Sequence, residues 1–373
     1  MYLEKLYLIN YRNYLSLENN FSAQVNILIG NNAQGKTNLI EAIYYLSIGK
    51  SYRPARDLQL TNWNADYFCV SGLVRNNFGK TKLDITYRNN EQTNKEIKVN
   101  SSKINKNAEL LGNLTTILFA PEDLNIIKGP PSERRNLLDN DIAQVSPAYN
   151  TKLQQYNRIL NQRNYLLRKI AMNQTADKQL DVWNQQFLEM SNDIVEKRLE
   201  VLEKLTPLTR LMQRRLTEGQ ENLEIRYILN KDKPIKRNSE IKNLLLAEMN
   251  KYRGEEFKRG ITLCGPHRDD LLISLNGNDL KYYGSQGQHR TTVLAVKLAE
   301  LEFFKAESGE YPVLLLDDVL SELDQQRRDQ LLNTIQEKNI QCFITTTEDN
   351  SFLWHKNTTL QKFHISEGKL VTQ

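Results

Sequence analysis

Gly30-Asn31-Asn32-Ala33-Gln34-Gly35-Lys36-Thr37 has the residue types and spacing of a phosphate-binding loop, GxxxxGK[ST]. Its two glycines let the backbone fold closely around phosphate oxygens, whose charge is met by amide N–H groups and by the N-terminus of a following helix. Lys36 would neutralise the β- and γ-phosphates, and the Thr37 hydroxyl would ligate Mg²⁺. Far downstream, Val313-Leu314-Leu315-Leu316 is an apolar run ending in two carboxylates, the Walker B arrangement. Asp317 there would hold Mg²⁺, directly or through water, and Asp318 would polarise the attacking water. Asp318 and Lys36 are thus the candidate catalytic residues, and Thr37 and Asp317 the candidate metal ligands.

These groups need elements to hold them. Val25 to Ile29 reads as a strand running straight into the loop, and Asn38 to Leu46 as the helix leaving it. The first 110 or so residues alternate apolar and polar positions in short runs, such as Leu83, Ile85 and Tyr87, and predict strands, antiparallel over Asp66 to Asn105. The middle turns helical: Leu153, Tyr156, Leu160, Leu167 and Ile170, a polar break at Asn173 to Lys178, then Trp183, Phe187, Ile194, Leu202 and Leu205. That is a short αα-hairpin, with Arg163 interrupting the apolar seam. Thr206-Pro207 predicts the N-cap and first position of a further helix. Strands return at Leu223 to Leu229 and at Leu271 to Leu275 before the Asn276-Gly277 turn. Val313 to Leu316 and Cys342 to Thr345 read as buried strands.

Asp317 lies 281 positions after Lys36. A small GTPase would bring these parts much closer and carry an Asn-Lys-x-Asp motif, which Asn230-Lys231-Asp232-Lys233 fails in its fourth position. The 373 residues are 39% hydrophobic and 25% charged, enough for a packed core and a prior of two or three domains. Three separated cysteines offer neither a disulfide scaffold nor a CxxC metal pair, which suits a reducing cytoplasmic setting. No apolar stretch suits a membrane span, and Met1 to Tyr14 does not read as a signal peptide. The net charge of +5 is confined to Lys128–Leu216, which holds 15 Lys/Arg against 10 Asp/Glu. Such a segment is either a surface for phosphate backbones or a solvated helical face.

Further motifs carry a resemblance. Gly284-Ser285-Gln286-Gly287-Gln288 leads into a helix (Thr291 to Leu301) and resembles the signature of ABC-type ATPases, and Ser321-Glu322-Leu323-Asp324 resembles their D-loop. Pro121-Glu122-Asp123-Leu124, Lys128-Gly129-Pro130-Pro131, Arg134-Arg135 with Asp139, and Gly265-Pro266-His267-Arg268-Asp269-Asp270 look like the RecF recombination-mediator family. So do Asn10-Tyr11-Arg12-Asn13-Tyr14 and the loop continuation from Asn38 to Ile43. The resemblance covers essentially the whole chain, although the switch histidine of ABC transporters is replaced by Thr345-Thr346-Thr347.

The resemblance implies an α/β fold: a P-loop ABC-type ATPase head with an antiparallel β subdomain and a helical insertion, the short αα-hairpin arm. The expected division is 1–112 for the N-terminal half of the head, 113–260 for the insertion and 261–373 for the C-terminal half. The resemblance also implies ATP and Mg²⁺ as cofactors, with Gly30 to Asn38 on one side of the nucleotide. Ser285, Gly287 and Gln288 would complete the site of a second subunit, in an ATP-dependent homodimer. Implied partners are DNA, double-stranded and at single-strand/double-strand junctions or gaps, together with RecR and RecO in loading recombinase, with weak, DNA-dependent ATP hydrolysis resetting the switch. Lys128, Arg134 and Arg135 are the candidate DNA contacts. Arg12 is a candidate nucleotide contact.

Two other functions compete. A transport ATPase subunit would need a surface coupled to membrane domains and no basic helical insert. A Rad50-like arm protein would need hundreds of coiled-coil residues between the half-motifs, where only a short hairpin fits. His267, Asp269 and Asp270 read as a structural turn beside the Leu271–Leu275 strand, not as metal ligands. His289 reads as a capping or solvent-facing residue. Tyr44-Tyr45 and Tyr282-Tyr283 could stack bases, although packing is the ordinary explanation.

Overall fold

The computed structural model describes residues 1–89, 94–174, 177–230, 233–237, 239–347, 354 and 358–372. Residues 231 and 232 of the Asn-Lys-Asp-Lys stretch, and 175 and 176 of the polar break, lie outside them. The chain divides into two units, Met1–Asp123 with Glu300–Gln373, and Leu124–Ala299.

In the first unit, Val25–Ile29 is buried at all five positions, as expected of a strand covered on both faces. It pairs in parallel with Cys342–Thr346 and Leu360–Ser366. Cys342–Thr346 pairs with Val313–Leu316, and that strand with Thr116–Phe119, again in parallel. A second, antiparallel sheet runs in the order Tyr14–Asn20, Tyr2–Tyr11, Tyr67–Asn76, Gly79–Arg88, Asn94–Val99, Ser102–Lys103. The helix Lys36–Ile48 packs against both sheets, and every one of its residues except Thr37 and Asn38 is buried. A helix apolar nearly all round has no solvent face to offer and must sit between layers. Its Tyr45 ring meets Phe68 edge-on, and Phe68 meets Tyr11 the same way, tying helix to sheet. Tyr44 and Tyr45 are therefore core residues.

The second unit contains the helices Pro147–Ala171 and Leu180–Leu216, packed side by side as the expected arm, and the helix Ile241–Arg259. Its antiparallel sheet orders Lys233–Ile235, Leu223–Leu229, Asp270–Leu275 and Asn278–Asp279. Two expectations need correction. The boundaries fall at 123/124 and 299/300 instead of 112/113 and 260/261. Thr116–Phe119 is a strand of the parallel sheet, and Asp270–Leu275 pairs with Leu223–Leu229, so non-local strand pairing moves both ends. Second, Pro207 starts no new helix but lies inside Leu180–Leu216. An internal proline costs about 3 kcal/mol. Leu202, Leu205, Met212 and Leu216 are buried on either side of it, at about 1.5–3 kcal/mol each, so burial carries the helix through.

Arg163 does not weaken the arm's seam. Its guanidinium bonds Glu256 at 2.6 Å, Thr262 Oγ1 at 2.8 Å and Asn184 Oδ1 at 2.9 Å, and both Arg163 and Glu256 are buried. None of the described helices is long and apolar enough to cross a membrane.

Candidate nucleotide site

Strand register assembles the site. Leu316 pairs with Ile344 and Ile29 with Thr346, so the P-loop, Asp317 and Thr345 leave adjacent strands at their carboxyl ends, where open α/β sheets bind ligands. Two glycines are required by contact: a Cβ on Gly30 would stand 2.4 Å from Ile365 O, and Gly35 takes φ +118° with a Cβ position 2.7 Å from Asn13 Nδ2. Donors from outside fix the loop. Asn13 Nδ2 donates to Gln34 O (2.9 Å), Gly368 N to the same carbonyl (3.0 Å) and Tyr14 OH to Gly35 O (3.0 Å). In a planar trans peptide the N–H opposes the C=O, so these contacts aim the Gly35 and Lys36 amides into the cradle. Asn38 Nδ2 is tied back to Asn13 Oδ1 at 2.9 Å, while Asn31, Asn32 and Ala33 stay exposed.

Lys36 Nζ donates to the Gly30 and Asn31 carbonyls at 2.6 and 2.9 Å, which stations the ammonium over the loop. Burial lowers its pKa, with Asp318 and Asp317 pulling the other way. Thr37 Oγ1 donates to Asp317 Oδ1 at 3.0 Å, across 280 residues of sequence. Its hydrogen is thus directed at the carboxylate and its lone pairs are left for a cation. Two protein oxygens beside a triphosphate cradle fit Mg²⁺, which keeps most of its shell for water and phosphate. Asp317 also accepts from Thr345 Oγ1 (3.0 Å) and Tyr52 OH (2.9 Å). Burial raises its pKa, opposed by the bonds from Tyr52, Thr37 and Thr345. Asp318 is exposed in the left-handed region, at φ 55°. A cleft of about 230 Å³ gathers Asn32, Ala33, Gly35 to Asn38, Arg53, Asp318 and Thr345. Both candidate catalytic residues, Lys36 and Asp318, face this one space.

Tyr52, Arg53 and Thr345 also belong to the site, though no motif of the sequence marks them as nucleotide or metal contacts. Arg53 bonds Asn38 Oδ1 at 3.3 Å and stands by the Tyr52 ring. Their one signal was position: a polar segment, Ser51-Tyr52-Arg53, immediately after the P-loop helix. Arg12 forks onto Glu41 of that helix with two 2.8 Å bonds and so braces the helix; this occupies the guanidinium that was a candidate nucleotide contact.

Ser285 and Gln288 reciprocally cap the N-terminus of the helix Gln286–Ser308: Ser285 Oγ accepts from Gln288 N at 3.2 Å, and Ser285 N donates to Gln288 Oε1 at 2.9 Å. Ser285 and Gly287 are exposed at that N-terminus, whereas the Gln288 side chain is further held by Glu221 at 2.9 Å. His289 neither caps nor faces solvent; it is buried, with Nε2 on Leu280 O at 2.9 Å. Tyr282 and Tyr283 are largely exposed, so packing does not explain them. His267, Asp269 and Asp270 form the expected structural turn. Tyr156 OH meets His267 Nδ1, Tyr227 OH and Asn230 N donate to Asp269, and Arg134 grips Asp270.

The DNA contacts need correction. Arg134 is buried, with its donors committed to Asp270 and to the Ile126 and Gly129 carbonyls. Arg135 is half-buried and bonds Asp269 O at 2.6 Å. Lys128 alone of the three is exposed, at the end of a short helical turn.

Residues 2–368 match the family model described as the RecF/RecN/SMC N-terminal domain. The DNA replication and repair protein RecF of Alkaliphilus oremlandii (strain OhILAs) is 42% identical over 99% of this chain and 100% of its own length. RecF of Bacillus subtilis (strain 168) is also 42% identical, over the full length of both. Among solved structures, the recombination mediator protein RecF with ATP, of the RecFOR pathway, superposes with a TM-score of 0.91 at 37% identity, covering 100% of this chain and 97% of that one. An Smc head domain from Pyrococcus furiosus matches with a TM-score of 0.57 at 18% identity over 100% and 96% of the two chains, a likeness of fold.

Proposed function

This chain belongs to the RecF family, within the RecF/RecN/SMC group of ATPase heads, and from that premise we propose that it is an ATP-switched, DNA-binding recombination mediator of replication and repair. A transport ATPase, the competing expectation, does not fit that membership. The single observation that carries the site's part is the Thr37–Asp317 bond, which joins the two half-motifs of an ATPase within one unit. The loop amides and Lys36 bind and orient the triphosphate, and Arg53 adds a second cation at the cleft. Thr37 and Asp317 would hold Mg²⁺, which when bound would supply neutralisation of the charge that develops on the phosphates. Asp318 accepts a proton from the water that attacks the γ-phosphate.

The exposed Ser285 hydroxyl and the amides beside Gly287 stand at the N-terminus of a long helix, where an anion is favoured. They serve the nucleotide of a second copy, so that ATP holds a homodimer together, and Gln288 supports this edge through its cap. Hydrolysis is slow and DNA-dependent, and it resets the clamp. The DNA recognised is duplex with a gap or a single-strand/double-strand junction, with RecR and RecO as partners in the cytoplasm. The decisive experiment is binding to gapped, single-stranded and double-stranded oligonucleotides with and without ATP–Mg²⁺. Tightest binding to gapped DNA with ATP is expected; equal binding to all three, unaffected by ATP, would overturn the reading.

A further inference from the structure

Asp318 is a non-glycine residue held in the left-handed region, at φ 55°. That conformation carries a steric cost for a residue with a Cβ, up to about 1–2 kcal/mol and met most readily by Asn and Asp, and neighbouring contacts hold it here. The fixing contact comes from a different strand. Asp318 N donates to Thr345 Oγ1 at 2.8 Å, and the same hydroxyl donates onward to Asp317 Oδ1 at 3.0 Å. Thr345 is buried, and its strand is locked in register, with Leu316 opposite Ile344 on one side and Thr345 opposite Leu28 on the other. A hydroxyl has one hydrogen and two lone pairs. Here the hydrogen goes to the metal-binding carboxylate and a lone pair receives the amide of the next residue. Ser321 Oγ donates to Asp318 O at 2.8 Å and closes the other side of the same residue.

We propose that Thr345 is a positioning residue for hydrolysis: its hydroxyl couples the Asp317 carboxylate to the Asp318 backbone and so sets where the Asp318 carboxylate stands over the cleft. This rests on the role given to Asp318 above. Thr345 lies within the strand Cys342–Thr346 and opens the Thr345-Thr346-Thr347 run that replaces the switch histidine of transporter heads. It acts on the catalytic carboxylate through the backbone, without any need to touch phosphate. Binding and chemistry are then separable. Triphosphate affinity comes from the loop amides and Lys36, which Thr345 does not contact in the hydrogen-bond network. A displacement of about 1 Å at the base can cost about 100-fold in rate.

The test compares the full-length parent with Thr345→Val, which keeps the shape and loses the hydroxyl, with Thr345→Ser, which keeps the hydroxyl, and with Asp318→Asn. ATP affinity is read by titration calorimetry in EDTA, which leaves out the Mg²⁺-dependent part that Asp317 would carry. Turnover is read at saturating ATP–Mg²⁺ with DNA present, and fold by thermal melting. Thr345→Val is expected to lose about 10- to 100-fold in kcat while its ATP affinity stays within about 3-fold. Thr345→Ser is expected to stay within about 3-fold of the parent in both. Should the valine chain melt early, Thr345→Cys, whose thiol is a weak donor, carries the same expectation. If Thr345→Val turns over like the parent while Asp318→Asn is silent, the inference fails and the role of Asp318 stands. If serine loses as much as valine, the hydroxyl is not what matters and the inference also fails. If Asp318→Asn itself turns over like the parent, the reading of Asp318 is what has failed.

Discussion

Arg134 holds Asp270 through two parallel hydrogen bonds, Nε to Oδ1 at 2.7 Å and Nη2 to Oδ2 at 2.9 Å, with the arginine side chain 5% exposed. A forked pair of this kind ties the helix Pro131–Val145 to the first residue of the strand Asp270–Leu275. The charge is structural, and the DNA surface must be sought among exposed cations.

Two reversals separate these roles. Arg134→Glu sets two carboxylates against each other in a buried site, and breaking a buried pair costs about 3–5 kcal/mol. Urea melting is expected to show that loss, whatever happens to DNA binding. Lys128→Glu is expected to leave the melt unchanged, weaken DNA binding across sequences, and lower the salt slope by about 1. An unaltered slope in Lys128→Glu would remove this lysine from the DNA surface.

Lys36→Ala deletes the ammonium that the proposed site offers to the triphosphate, a charge-assisted contact of about 1.5–3 kcal/mol or one to two decades in affinity. Thr37→Ala is expected to reduce only the part of ATP binding that depends on Mg²⁺. Calorimetric titration in Mg²⁺ and in EDTA distinguishes them: parental affinity in Lys36→Ala would refute the assignment of the loop.

The P-loop and Walker B run were readable because their chemistry is local: eight consecutive residues make the cradle, and an apolar strand ends in its own carboxylates. The pairing that puts Thr345 beside Asp317 is set by strand register between segments 28 residues apart, and no local pattern encodes it. Arg134 and Arg163 failed as sequence signals for a related reason. A basic residue in a polar helix looks the same whether it meets water or a buried carboxylate, and their partners Asp270 and Glu256 lie 136 and 93 positions away. Pro207 misled because its local preference opposed a burial term that only the packed arm supplies.

The Gly265–Asp270 turn carries two oppositely shifted groups. Burial lifts Asp269 to about 6, against the Tyr227 hydroxyl, the Asn230 amide and the charges of Arg198 and Arg135. Burial first, then the charges of Arg268, Arg135 and Arg163, bring His267 down to about 4, with Thr262 O opposing; Tyr156 OH meets its Nδ1. For Asp269 the folded state holds the extra proton, so its contribution is present below the unfolded value and is lost as pH rises through about 6. For His267 the unfolded state holds the extra proton, so stability is gained as pH rises from about 4 through the ordinary histidine range. The two slopes oppose each other over nearly one window. His267→Gln removes only the second, so its urea midpoint is expected to fall progressively behind the parent's from pH 4 to 6.5. A parent–variant gap that stays constant over that range would refute this.

The composite-site mechanism is decided by oligomeric state. If ATP joins two copies, the P-loop of one and the Ser285 edge of the other contribute to one binding event, and dimerisation is linked to nucleotide affinity. On the role proposed for Asp318, only hydrolysis depends on it, so Asp318→Asn is expected to keep ATP and accumulate a stable dimer. Ser285 belongs to the other surface: it is exposed at the N-terminus of Gln286–Ser308, where Ser285→Arg adds bulk as well as losing the hydroxyl. That variant is expected to bind ATP through its own intact loop yet sediment as a monomer. Loss of the cap contact to Gln288 N costs about 1 kcal/mol locally and leaves the buried part of the helix in place. Sedimentation velocity with and without ATP–Mg²⁺ compares both variants with the parent. A dimer in Ser285→Arg as abundant as the parent's would mean that the signature edge does not reach a second copy's nucleotide, whatever Asp318→Asn does.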